Sequence, residues 1–282
     1  MKKLRFLLLL FITAFLSSCY HLHLQVFETK PTSEKIAQNG ESYVFDNDSV
    51  RITYSFWGDM GVLSYTLENK LNRPIYIDWK SSSFINNGKK IDYWEDQVIT
   101  NTVTTGRSDG VSYRIPFTYQ QLTAYSGQSE SITNTVTQKP EKTSFIPPHS
   151  RIDKNLFLIY PYSYYNLTCQ TAIPEIVPRS DKARKKTTVY GAVYETQNTP
   201  ITFRNYITYT FSEGSTQLYS IDNGFYVSSI KEMSKKHFLG KKKPGFVDGN
   251  RTFQEPFKKE SNFYIEIFDP ANNIERRSKG CK

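Results

Sequence analysis

The stretch from Val50 to Trp79, VRITYSFWGDMGVLSYTLENKLNRPIYIDW, decides the fold class. Apolar and polar residues alternate from Val50 to Trp57, again from Val62 to Glu68, and again from Ile75 to Trp79. A period of two belongs to strands that bury one face. The joints, Gly58-Asp59-Met60-Gly61 and Asn69 to Pro74, consist of residues that favour turns. Further along, Asn86-Asn87-Gly88 separates Phe84-Ile85 from Lys90 to Trp94, and Asn-Gly supplies the positive φ that a tight hairpin needs. Upstream, Tyr20, Leu22, Leu24 and Val26 alternate with His21, His23 and Gln25, which predicts a first strand followed by a polar tether from Glu28 to Ser42.

Downstream, Leu156 to Tyr160 reads as a buried strand. Val189 to Tyr194, Ile201 to Phe211, Gln217 to Ile221, Phe225 to Ile230 and Phe263 to Phe268 read as strands of a second β-rich unit. Ser228 to Phe238 carries a weak helical period of one or two turns. The expected fold is therefore mainly β and antiparallel, a sandwich followed by a second β-rich unit. Its first part, with the Asn-Lys-Leu-Asn-Arg-Pro turn and the Ile-Tyr-Ile strand, resembles the immunoglobulin-like modules of bacterial exported proteins. The expected divisions are residues 1–18 as a signal peptide, 19–42 as the N-terminus and tether, 43–165 as the sandwich and 166–282 as the C-terminal unit. Alternatively, both units share one sheet.

From Glu95 to Ser150 the composition turns to Thr, Ser, Asn, Gln and Gly, too long for an ordinary connection. Within this insertion (95–150) the string ITNTVT occurs at Ile99 to Thr104 and at Ile132 to Thr137. Two such segments can pair as an extended β-arm with Thr opposite Thr; the alternative is coincidence in Thr-rich sequence.

The first residues carry an address. Lys2, Lys3 and Arg5 precede an apolar run from Phe6 to Leu16, shorter than the ~20 residues that span a bilayer. Leu16-Ser17-Ser18-Cys19 resembles the lipobox of bacterial lipoproteins. The resemblance implies that Cys19 becomes the first mature residue and carries the lipid. Tyr20 rather than Asp follows it, which in such lipoproteins implies export to the outer membrane. The lack of an acidic cluster after the anchor favours the periplasmic face over the cell surface. Residues 1–18 hold three of the 36 Lys and Arg and none of the 27 Asp and Glu, leaving a net +6 for the remainder. For an exported chain that balance points to anionic headgroups or acidic glycans, and nucleic acid is not an expected partner. Cys169 and Cys281 remain as a possible disulfide in a compartment that permits one.

The search for chemistry returns little. Nucleophile elbows, paired Cys-x-x-Cys ligands, His-Glu-x-x-His, phosphate loops and calcium loops are absent from the sequence. Four histidines limit imidazole chemistry, and His21-x-His23 offers too few ligands for a metal. No cofactor or metal is expected. A glycoside hydrolase needs two carboxylates, for which Glu95-Asp96, Asp46, Asp48 and Glu266 are available.

Aromatic residues make up 15% of the chain. Trp57, Trp79 and Trp94 are expected in the core. Tyr160-Pro161-Tyr162-Ser163-Tyr164-Tyr165 reads as an exposed loop, whose Tyr162, Tyr164 and Tyr165 are candidate contacts for a glycan or partner. Asp48-Ser49-Val50 resembles an acceptor motif for O-glycosylation in some bacterial exported proteins. The basic blocks, Arg179 to Lys186 and Lys241 to Lys243, read as solvated loops. The expected role is a non-enzymatic binding or assembly module held at the membrane by its N-terminal lipid. The alternatives are a glycan-binding lipoprotein and a carboxylate-based glycoside hydrolase.

Overall fold

The computed structural model describes residues 23–95, 99–105, 110–114, 121–125, 132–138, 141–167, 173–178, 186–247 and 250–267. Two antiparallel sheets dominate, as the alternating patterns require. The smaller is a run of hairpins, β2 (Ile36–Asn39), β3 (Ser42–Asp46), β4 (Val50–Ser55) and β5 (Val62–Asn69), completed by β13 (Arg151–Leu158) on the β5 edge. The larger has nine strands. Its main path runs β12 (Thr143–Ile146), β6 (Ile75–Asn86), β16 (Thr202–Thr210), β17 (Tyr219–Ser234), β1 (His23–Pro31) and β20 (Asn262–Ile267). The others are β7 (Lys89–Asp92), which pairs with β6, and β15 (Lys186–Val193), which joins β17 and carries β14 (Ile173–Pro178).

β17 organises the larger sheet. Along one edge it pairs first with β16, over Tyr219 to Tyr226, and then with β15, over Ser229 to Glu232. Along the other it pairs with β1, from Phe225 to Ser234. The strands expected at Gln217 to Ile221 and Phe225 to Ile230 are thus one strand. Asp222-Asn223-Gly224 looks like a turn but runs straight through, because each residue has a use in the sheet. Asp222 pairs with Arg204, Asn223 turns into the core, and a Cβ on Gly224 would lie 2.4 Å from Thr32 Oγ1. The helical turn expected between Ser228 and Phe238 is reduced to α1 (Lys235–Leu239), capped by Ser234.

The sheets meet through aromatic rings. Phe56 packs edge-on against Phe203 and Phe225, with ring centroids 5.1 and 5.0 Å apart, and Tyr54 meets Phe225 at 5.0 Å. A polar knot sits among them. The Tyr54 hydroxyl accepts hydrogen bonds from Asn223 Nδ2 (2.8 Å) and Asn205 Nδ2 (3.1 Å), while Tyr93 donates to Asn205 Oδ1 (2.7 Å). Asn205 and Asn223 face each other across β16 and β17, so one tyrosine from the small sheet ties two strands of the large one. Burial pushes the Tyr54 hydroxyl well above its ordinary pKa.

The shared-sheet alternative describes the pairing: β6, from residues 43–165, lies along β16, from residues 166–282. The polar tether expected from Glu28 to Ser42 is not one. β1 continues to Pro31 and β2 follows within the same stretch. Polar side chains there are satisfied inside the fold: Thr29 donates to Ser261 O, and Glu28 accepts from Ser229 and Lys231. The hairpin at Asn86-Asn87-Gly88 forms as expected, with φ of 47° at Asn87 and 79° at Gly88. Trp79 is buried and donates to Ser144 Oγ, whereas Trp57 and Trp94 are only half-buried.

The two ITNTVT segments pair as β8 (Ile99–Thr105) and β11 (Ile132–Gln138). The register sets Thr100, Thr102 and Thr104 opposite Thr137, Thr135 and Thr133. β9 (Gly110–Arg114) and β10 (Gln121–Tyr125) pair between them in the chain, one pair nested within the other, while the last part of the expected insertion is not an insertion: β12 belongs to the large sheet and buries Ile146. A further hairpin, β18 (Lys242–Val247) and β19 (Asn250–Phe253), takes in Lys242 and Lys243 of the second basic block, so that block is largely strand rather than loop, although its lysines are exposed as expected. The first basic block falls outside the described residues, except that Lys186 opens β15.

Replacing Tyr54 by Phe leaves two buried amide groups without their shared acceptor, which costs about 1–3 kcal/mol. The urea unfolding midpoint should fall accordingly with an unchanged slope; an unaltered midpoint would remove the knot from the fold's energetics.

Candidate functional site

The Tyr160 to Tyr165 loop follows β13, and a single side chain fixes it. Gln25 on β1 donates to Tyr165 O (2.7 Å) and accepts from Tyr165 N (2.7 Å), while its amide also donates to the buried Glu232 (2.8 Å). Tyr160 packs on Phe27 and lies edge-on to Tyr162 and Tyr165. Burial, aided by the neighbouring tyrosines, raises the Tyr160 hydroxyl to about 12. Of the three candidate tyrosines, Tyr162 is 56% exposed, whereas Tyr164 and Tyr165 are half-buried. Neither concavity described next includes them.

A cleft of about 180 Å³ lies on the outer face of the large sheet, where β6, β12 and β16 run together. Alternation on β6 sends Ile75, Ile77 and Trp79 into the core and turns Tyr76 and Asp78 outward. Tyr76 faces Phe145 across β12, with ring centroids 5.4 Å apart. Phe145 is 54% exposed, and Leu218, on the cleft wall, is 52% exposed. Asp78, Lys80 and Lys142 supply charge around them.

β6 bulges beside this cleft: the pairing jumps from Tyr206–Ser83 to Thr208–Asp78. The bulge is held by Ser82, which donates to Asp78 O and accepts from Thr208 N, and by Thr208 Oγ1 donating to Ser81 O. Bulges re-aim side chains at strand edges and sites. The run Ser81-Ser82-Ser83, which breaks the period of two, was the one signal of this cleft in the sequence. Exposure of Phe145 and Leu218 had none.

The second concavity, about 830 Å³, is the outer face of β2, β3, β4 and β5. Its charges neutralise one another: Arg51 lies 2.9 Å from Asp46 and 3.6 Å from Glu68, and Lys70 lies 2.6 Å from Asp46. Hydrogen bonds from Lys70 and then Arg51 hold the Asp46 carboxyl below its ordinary pKa. A glycosidase acid needs the opposite shift, so Asp46 is poorly suited to that role.

Glu95 and Asp48 are exposed, Glu266 lies on β20, and Asp96 is outside the described residues. Ser49, in the Asp48-Ser49-Val50 motif, is half-buried in a turn where Asn47 Oδ1 accepts from its backbone N–H. His149 bonds Asn72, and among the described residues no group of three or more His, Cys, Asp or Glu side chains could hold a metal. Cys19, Cys169, Cys281 and His21 lie outside the described residues. Among those residues no helix is long and apolar enough to cross a membrane.

No known protein family, curated protein or solved structure matches the chain. The site is therefore defined by its own geometry.

Asp46 carries a pH signature. Its depressed folded pKa means that the stability it contributes is complete above its ordinary value of about 4 and is lost as pH falls through the folded value. Thermal melts of Asp46→Asn should lie below wild type at neutral pH and converge with it in acid. A gap that stayed constant across that range would show that the Arg51 and Lys70 contacts do not act through charge.

Proposed function

We propose that this chain is a lipid-anchored envelope protein at the periplasmic face of the outer membrane, acting as a non-enzymatic binding or assembly module. Its partner is a protein, met through the edge strand β12 and the patch of Tyr76, Phe145 and Leu218. The observation that carries this reading is an exposed large apolar side chain, Phe145, on an edge strand, with exposed Leu218 on the wall of the adjoining cleft. β12 ends the strand path of the large sheet, and among the described residues no strand pairs with its outer edge. Folded chains ordinarily blunt such edges, and the exposed Phe145 of β12 does the reverse. Burying Phe145 or Leu218 in an interface gains about 1.5–3 kcal/mol.

A glycan is the second reading, favoured by the adjoining rings of Tyr76 and Phe145 with Asp78 and Lys80 at their side. Hydrolysis has less support. Asp78 is the one carboxylate lining the cleft, and glycosidases need a pair about 5–10 Å apart.

Cross-linking in membranes should capture a partner that is lost on Phe145→Ser with Leu218→Ser and retained on Tyr162→Ser. A partner captured equally by all three proteins would place the interface elsewhere, and binding on a glycan array that Phe145→Ser abolishes would favour the second reading. The anchor is tested separately. After a high-salt wash, Cys19→Ala should leave the membrane pellet, and its retention there would exclude a lipid on Cys19.

A further inference from the structure

The topology gathers features that lie far apart in sequence around one end of the large sheet, the end where β1 begins. His23 pairs with Ser234, and Lys235 and Lys236 of α1 follow at once. Phe238 and Leu239 of that turn pack with Leu24 and Val26 of β1, against Trp57 and Tyr264. They hold the segment on the flank of β1, and Lys241, Lys242 and Lys243 come directly after. All five lysines are exposed, and no acidic residue interrupts the run from Lys235 to Lys243. On the opposite face of the same strand, Gln25 ties down the loop that carries exposed Tyr162.

The chain outside the structure fixes the distance to a membrane. Cys19 lies four residue steps before His23, so the two are at most ~14 Å apart whatever path Tyr20, His21 and Leu22 take. The far end of β1, at Pro31, is eight residue steps along the strand, roughly 26 Å further along it. Screening at physiological salt confines headgroup attraction to about 8–10 Å, so charge at the near end can feel a bilayer and charge at the far end cannot.

We propose that the end of the molecule where β1 begins rests on anionic phospholipid headgroups, with Lys235, Lys236, Lys241, Lys242 and Lys243 facing the phosphates and Tyr162 at the water boundary. The inference builds on the lipid at Cys19, which brings this end to the surface. The lysines then orient the body and leave the β12 edge free for its partner. A tyrosine suits the boundary because its ring is apolar and its hydroxyl remains wet.

The test separates the two readings by removing the lipid. A chain beginning at Tyr20, with neither residues 1–18 nor the lipid, should sediment with vesicles containing about a third phosphatidylglycerol and not with pure phosphatidylcholine, and about 0.5 M salt should release it. Replacing Lys235, Lys236 and Lys241 by Gln should weaken binding on the order of a hundredfold, at roughly fivefold per lysine. The same charge change at the other end, Lys30→Gln with Lys35→Gln and Lys89→Gln, should leave binding unaltered. Equal losses in the two triple variants, equal binding to neutral vesicles, or no binding at low salt would each overturn the proposal. Those results leave the anchor itself to the fractionation of Cys19→Ala.

Discussion

β17 is buried along most of its length, and its backbone must find partners on both edges. Water cannot supply them, so the sheet does: β16 and β15 share one edge and β1 takes the other. The rest of the architecture follows from this requirement. β1 is drawn from the start of the chain into the sheet interior, and β20 closes over its outer edge. The small sheet then covers the inner face through Tyr54 and Phe56, while α1 and Trp57 cover part of the outer one.

Local order was legible because it is local. Alternation between Val50 and Glu68 marks β4 and β5 directly, and Asn87-Gly88 marks its hairpin. The twin ITNTVT strings suggested β8 and β11 because their spacing of Thr permits a register with Thr opposite Thr. What the sequence hides is long-range. Nothing near Phe203 names Asn86 as its neighbour, nor does Gln25 announce that it will hold Tyr165. Polar residues misled most where tertiary contacts satisfy them: Glu28 and Thr29 looked solvated, and Asp222-Asn223-Gly224 looked like a turn.

The same distinction governs the candidate site. The aromatic loop is conspicuous in sequence, but burial of Tyr160 and the grip of Gln25 on Tyr165 make most of it structural. Phe145 ends a short polar run just before Ile146-Pro147-Pro148 and draws no notice as a letter. It becomes significant because β12 is an edge strand and because a bulge in β6 shapes the floor beside it. In the proposed reading, function is carried by where strands end rather than by a motif.

The position of β1 also sets an order of events. Its partner strands lie about two hundred residues away, between Phe225 and Ile267, and among the described residues no earlier strand pairs with it. A chain emerging from its N-terminus, from a ribosome or across a membrane, therefore holds Leu24, Val26 and Phe27 exposed until almost the last strand is out. Such high contact order makes folding slow and leaves the waiting strand prone to aggregate until β17 and β20 reach it.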